Sequence, residues 1–257
     1  MGLATEQADD RYAAVRQYSL AEIIGVWAAA AVPMGVLAWI VAPLLRDQLG
    51  GRDPFIEALL ICFNLGLVYQ LVLVLILVKR EQGSLEWSRV RDALWLRAPK
   101  DPKTQRVGGK VWWWVLPFLL LSAAIEALPI YPTGPSPRDL PNLLGSDRAE
   151  HFFKGAWGWF ALLVSVAILA PVVEELLFRG LLLLRMRAAV GRGDWAVNGV
   201  LFAGYHLHQP WSIPSSVLDG MFGQAYPAKR FQSIWIAIIT HTAPSFVIIG
   251  VVLSLVL

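Results

Sequence analysis

Residues 155–184 read GAWGWFALLVSVAILAPVVEELLFRGLLLL, and this stretch decides the fold. It exceeds the roughly 20 mostly apolar residues that a helix needs to cross a bilayer core. Only Glu174, Glu175 and Arg179 interrupt it with charge. An ionisable residue near the centre of a membrane helix costs roughly 2.5–3.5 kcal/mol on insertion scales. Glu175 and Arg179 are four apart, share a helix face and are able to pair, so that neither charge is left alone in a low dielectric. Glu174 points about 100° away and has no local partner, which suits a general base. Pro171 lacks an N–H and loosens the helix just before the pair. From these residues alone, a structural ion pair linking helices stays open as the alternative.

The rest of the chain has the same character. Of its 257 residues 56% are hydrophobic and 16% charged, with a mean hydropathy of +0.55. A soluble domain carries about a quarter charged residues. Further candidate spans run over about 20–45, with Pro33 and Gly35 as possible kinks, and over 54–78, 111–128 and 233–257. Shorter apolar segments lie at 195–207 and 213–226. The expected fold is all-α, a polytopic transmembrane bundle of about seven membrane segments. Residues 1–154 supply N-terminal membrane helices with a cytoplasmic interfacial loop, and 155–257 supply the catalytic core, in one continuous membrane domain. Leu85, Trp87, Val90, Leu94 and Trp95 alternate with charges and predict a helix lying on the membrane surface. Trp112, Trp113 and Trp114 open the third span as an interfacial aromatic belt. PIYPTGPSPRDLP after it breaks helix and belongs outside the bilayer.

The modest net charge of +3 is clustered, which speaks to membrane topology rather than nucleic acid. The segment 79–110 holds nine Lys and Arg residues and is assigned to the cytoplasm. The N-terminus then lies in the cytoplasm too, as do the loops with Arg185, Arg187 and Arg192 and with Lys229 and Arg230. The expected location is a multi-pass integral protein of a bacterial inner or plasma membrane. The single cysteine, Cys62, excludes an intrachain disulfide and a cysteine-rich metal site. The polar start of the chain shows no cleavable signal peptide, and Glu6 stands where a myristoylation motif wants Ser or Thr.

Two further segments bear on the glutamates. In LFAGYHLHQP, Phe202 and His206 are four apart, with Asn198 on the same face two turns earlier. In IAIITHTAPSF, His241 and Ser245 are four apart, and Pro244 between them predicts a bend. A lone His in an apolar helix is usually a packing residue. Two of them plus a Glu pair, in separate apolar segments, are together able to surround a water: Glu takes its proton and imidazole N–H groups stabilise an oxyanion. His151, in a polar loop, and His208, at a helix end beside Pro210, are set aside.

The order E-E-x-x-x-R, F-x-x-x-H, H-x-x-x-(N/D) resembles the CAAX protease and bacteriocin-processing family, the abortive-infection or type II CAAX prenyl endopeptidases. The motifs here are Glu174–Arg179, Phe202–His206 and His241–Ser245, and the resemblance covers about 155–250. It implies an intramembrane endopeptidase acting on a membrane-anchored or hydrophobic protein or peptide. Glu174 would activate water, Glu175 and Arg179 would support it, His206 would position water or substrate, and His241 would help hold the oxyanion. Phe202 and Ser245 complete the motifs. Ser245 stands where the family pattern has Asn or Asp and offers one hydroxyl donor. Thr242 and Asn198 are the other candidates for that role. No metal cofactor is expected, since no H-E-x-x-H helix is present. If zinc were used, Glu174, His206 and His241 would hold it. The competing classes are a proton-coupled transporter, which often shows inverted repeats absent here, and an inactive scaffold or immunity protein of the same fold.

Overall fold

Ser19 opens the first membrane helix through a capping box: its hydroxyl accepts from the Glu22 N–H at 3.3 Å, and the Glu22 carboxylate accepts from the Ser19 N–H at 2.9 Å. Helix α1 spans Leu20–Arg46 and widens to a π-helical turn over Leu37–Val41. Pro33 lies inside it without breaking it. The Ala29 carbonyl, deprived of its partner by the missing proline N–H, accepts from the Tyr69 hydroxyl at 3.0 Å. Tyr69 belongs to α2, Pro54–Gln82, whose N-cap Asp53 accepts from the Ile56 N–H at 3.2 Å and pairs with Arg148. Gly83, at φ +70°, closes α2 in the left-handed conformation that glycine adopts freely.

Helix α3 (Gly109–Glu126) begins as a 3₁₀ turn over the tryptophans. Helix α4 (Trp157–Arg185) is α-helical to Glu175 and π-helical over Leu176–Leu182. Helix α5 is Asp194–Tyr205. The passage α6, 213–231, joins two short α-helices through a π-helical turn at Asp219–Ala225. Helix α7 (Trp235–Val256) closes the chain and runs unbroken through Pro244. The computed structural model describes residues 15–130 and 132–257. The expectations placed on Met1–Glu6 lie outside them.

Among the described residues five helices, α1 to α4 and α7, are long and apolar enough to cross a membrane. The two segments already short in the sequence, α5 and α6, form shorter helical passages, so the expected count of seven is not established. Among the described residues there is no strand, only an isolated bridge between Lys100 and Val107. Large apolar side chains such as Val32, Val68, Leu120 and Val247 cover the outside. That is what a lipid-facing surface requires and a water-facing one avoids.

Helix α4 is the axis of the bundle, packed on α2 and α7. Its Leu177, Phe178, Leu181 and Leu182 are buried with Ile23, Val74 and Val78. The expected surface helix is shortened and partly corrected. Only Trp87–Ala93 is helical, with Leu85 and Trp87 exposed. Leu94 and Trp95 turn into the bundle instead, because Gly180 leaves room: a Cβ there would stand 3.1 Å from the Leu94 carbonyl. The following strap is tied to the start of α7 by Ile234 N–H to the Trp95 carbonyl (3.1 Å) and by the Ser233 hydroxyl to the Arg97 carbonyl (2.6 Å).

Candidate active site

Glu174 and Glu175 sit at the junction where α4 changes from α to π winding. A π turn inserts a residue into the helical register and shifts the side chains around it, and such turns recur at functional sites. Arg179 lies within it, and neither it nor Glu175 touches solvent. Arg179 Nη1 donates to Glu175 Oε1 at 2.8 Å, so the pair read from the four-residue spacing is present. Its Nη2 donates to the Gly220 carbonyl at 3.0 Å, which ties α4 to the π turn of α6. The guanidinium also lies 4.1 Å over the ring of Phe202. Gly220 is needed there: a Cβ would fall 2.9 Å from that ring and 3.4 Å from Arg179 Nη2.

His241 of α7 reaches both glutamates. Its Nδ1 is 3.0 Å from Glu175 Oε1, and its Nε2 is 3.8 Å from Glu174 Oε2. An ionised carboxylate only accepts hydrogen bonds, so Nδ1 carries the proton and Nε2 is directed towards Glu174. The 3.8 Å gap is too long for a direct hydrogen bond. His241 is 22% exposed at its side chain, against 6% for Glu174.

His206 stands apart from this group. It contacts Phe202 with ring centres 4.8 Å apart, and Phe202 contacts His241 at 5.6 Å. Phe202 is therefore the shared wall of Arg179, His206 and His241. His206 Nδ1 is 3.0 Å from the Phe202 carbonyl. A carbonyl accepts only, so Nδ1 is the donor and a neutral His206 presents Nε2 as an acceptor. Ser245 is buried one turn beyond His241. Of the two other candidates for its role, Asn198 spends its amide on the Phe178 carbonyl at 2.7 Å, whereas the Thr242 hydroxyl is buried without a partner among the described residues. Thr242 lines an apolar groove of about 360 Å³ with Val172, Ile238, Ile239, Ala243 and Phe246.

Several neighbours escaped the motif reading. His208, set aside as a helix-end residue, is buried with its ring 5.4 Å from that of His206. Tyr205 is wholly buried between His206 and Phe178, and its hydroxyl donates to Gln70 Oε1 at 3.4 Å. Gln70 of α2 lies beside the Tyr205 hydroxyl. Asp219 of α6 accepts from Ser122 at 2.6 Å and from Gln224 at 2.8 Å, and acts electrostatically on Arg179. The available signal was polarity out of place: Gln70 and Asp219 are single polar residues in apolar runs.

Residues 156–247 match the family model of the type II CAAX prenyl endopeptidase Rce1-like proteins. The matched segment is rather more than a third of the chain and contains all three motifs. Over this segment the chain is similar to the family that its three motifs resemble. No curated protein and no solved structure matches the chain.

Proposed function

We propose that the chain is an intramembrane endopeptidase in which Glu174 takes the proton of the attacking water. The observation that carries this reading is the position of His241, which touches Glu175 and faces Glu174 inside a segment matched to a protease family. An oxygen offset from the line between His241 Nε2 and Glu174 Oε2 is within hydrogen-bond reach of both. Water placed there meets a base on one side and an imidazole on the other. Glu175 and Arg179 fix the His241 ring through Nδ1. His206, an acceptor at Nε2, orients the water or a substrate N–H. As the carbonyl is attacked, negative charge grows on its oxygen. Once Glu174 passes the water proton on to His241 Nε2, that N–H and the Ser245 hydroxyl are the donors assigned to that oxygen.

The substrate is a membrane-anchored or hydrophobic protein or peptide, cut in the cytoplasmic half of the bilayer if the basic loops set the orientation. The reaction is written without a metal. Zinc held by Glu174, His206 and His241 would need the three at ligand distance. Among the described residues no group of three His, Cys, Asp or Glu side chains is so placed.

The test is comparative membrane proteomics of cells carrying the wild type or Glu174→Gln. An uncleaved precursor accumulating in the variant, at unchanged levels of the protein itself, is the expected result. Normal processing by Glu174→Gln overturns the assignment of the base.

A further inference from the structure

Away from the glutamates, positive charge is densest between the short helix Trp87–Ala93 and the start of α3. Residues 97–110 carry Arg97, Lys100, Lys103, Arg106 and Lys110 against one acid, Asp101. Asp101 does not neutralise them. Its Oδ1 accepts from the backbone N–H groups of Lys103 and Thr104 at 2.8 Å each, which closes a turn. Arg97 pairs with Asp92 at 2.7 Å. Among the described residues the other four side chains pair with no carboxylate, and Lys103, Arg106 and Lys110 are exposed.

The backbone holds this charge in a defined shape. The Gly108 N–H donates to the Pro99 carbonyl and the Asp101 N–H to the Arg106 carbonyl, both at 2.9 Å. Residues 99–108 are thus a hairpin around the Lys100–Val107 bridge. The Lys100 N–H donates to the Phe231 carbonyl at 2.8 Å, which lays the hairpin on the end of α6. Its other end packs on the aromatic belt: a Cβ on Gly108 would stand 3.8 Å from Trp112 Nε1. Trp113 and Trp114 are exposed beside it, at the depth where tryptophans meet lipid head groups. Val107 is exposed on the hairpin itself. A water-soluble acidic partner would match the charge alone. A negatively charged bilayer surface matches the charge and the apolar side chains beside it.

We propose that the hairpin 99–108, together with Lys110, is a binding site for the phosphate head groups of anionic phospholipids. Clusters of about 4–8 Lys and Arg beside a span are drawn to such lipids, and the attraction fades within a Debye length. The hairpin has both the number and the depth. A lipid held there ties the start of α3 and the end of α6 to one leaflet. The site stands outside the segment matched to the family and does not depend on the proposed reaction.

The full-length protein in a neutral detergent is titrated with phosphatidylglycerol and, separately, with phosphatidylcholine of the same acyl chains, and bound lipid is counted by native mass spectrometry. Phosphatidylglycerol is expected to bind more tightly. Lys103→Gln/Arg106→Gln/Lys110→Gln should weaken it by about 100-fold, at about fivefold per basic residue near the charged group, and leave phosphatidylcholine unchanged. Arg46→Gln/Arg52→Gln/Lys154→Gln removes the same charge at the other end of the bundle and should change the affinity by less than about twofold, since charges that far away are screened. Equal affinity for the two lipids, an unchanged affinity in the first variant, or an equal loss in the second each overturns the site. If the first variant does not fold, Lys103→Gln/Lys110→Gln decides alone: about 25-fold weaker binding upholds the site, and unchanged binding overturns it. Glycerol phosphate, the head group without acyl chains, should bind far more weakly than the lipid. Equally tight binding assigns the hairpin to a free phosphate and overturns the lipid.

Discussion

Arg179 and Arg185 lie on the same helix, and neither side chain touches solvent. Arg185 is enclosed by fixed partners from several directions. Its Nε donates to Glu81 at 2.7 Å, and its Nη1 to the Leu181 carbonyl at 2.9 Å and the Ala93 carbonyl at 3.3 Å. Glu81 also accepts from the Tyr18 hydroxyl, and the Tyr18 N–H donates to the Arg185 carbonyl at 2.7 Å. One guanidinium thus clamps the N-terminal segment, α2 and the strap before α3 onto the end of α4. Each guanidinium leaves one nitrogen without a hydrogen bond among the described residues, Arg185 Nη2 and Arg179 Nε, so the difference lies in the carboxylates. Glu175 Oε1 serves both Arg179 and His241, while Glu175 Oε2 and Arg179 Nε have no partner among the described residues. A buried pair closed on itself spends its polarity on the fold. One that shares its carboxylate with a half-open histidine keeps polarity available for a ligand.

The largest expected effects break each pair in turn. Glu175→Ala and Glu81→Ala both leave a buried arginine without its carboxylate, at a cost of roughly 3–5 kcal/mol. Thermal unfolding in detergent should show both losses. Per folded molecule, Glu81→Ala should still process precursors, whereas Glu175→Ala should not, because only Glu175 also orients His241. Loss of processing in well-folded Glu81→Ala would erase the distinction between clamp and site.

The same contrast separates what the sequence made legible from what it hid. Glu175 and Arg179 are four apart on one helix, so their pairing followed from local geometry. The spans were equally plain, since apolarity over about 20 residues is a property of the chain itself. Arg185 looked like a loop residue marking topology. Its partner Glu81 is distant in sequence, and nothing local couples the two. Tyr205 and Gln70 were hidden for the same reason: the polar atoms that give them meaning come from other helices. The π turns at Leu176–Leu182 and Asp219–Ala225 also have no signature in apolar periodicity. Helix α7 continues through Pro244, and the Thr240 hydroxyl one turn earlier bonds back onto the Ile236 and Ala237 carbonyls at 3.0 Å each.

On the site side of the comparison, Ser245 carries the next effect. With Asn198 committed to Phe178, Ser245 and Thr242 are the candidates left for the fourth role in the proposed reaction. Loss of one oxyanion donor typically costs about 100–1000-fold in rate. Ser245→Ala should lose activity in that range, and Ser245→Asn should keep or raise it, as measured by precursor processing in membranes. If Ser245→Ala cleaves like the wild type and Thr242→Val does not, the role belongs to Thr242.

The smallest effect belongs to the clamp and is separated from the site by pH. Tyr18 lies just outside the first span, 5% exposed, with its hydroxyl on Glu81. Burial, and then the hydrogen bond to Glu81, push its phenol above the ordinary value. A raised value favours the neutral form in the folded state. Tyr18 therefore contributes stability that is fully present below about pH 10, the ordinary tyrosine value, and that is lost as the pH rises further. Tyr18→Phe removes the hydrogen bond to a charged partner, so it should cost about 1–2 kcal/mol near neutral pH. The stability gap between wild type and Tyr18→Phe should stay constant from pH 7 to about 9 and narrow above about 10. Unfolding measured across that range checks it: a gap that does not narrow would mean that the phenol is not held in its neutral form by the clamp. Processing per folded molecule should be the same in both proteins at neutral pH, because Tyr18 and Glu81 hold α4 from the Arg185 side and touch neither glutamate of the site.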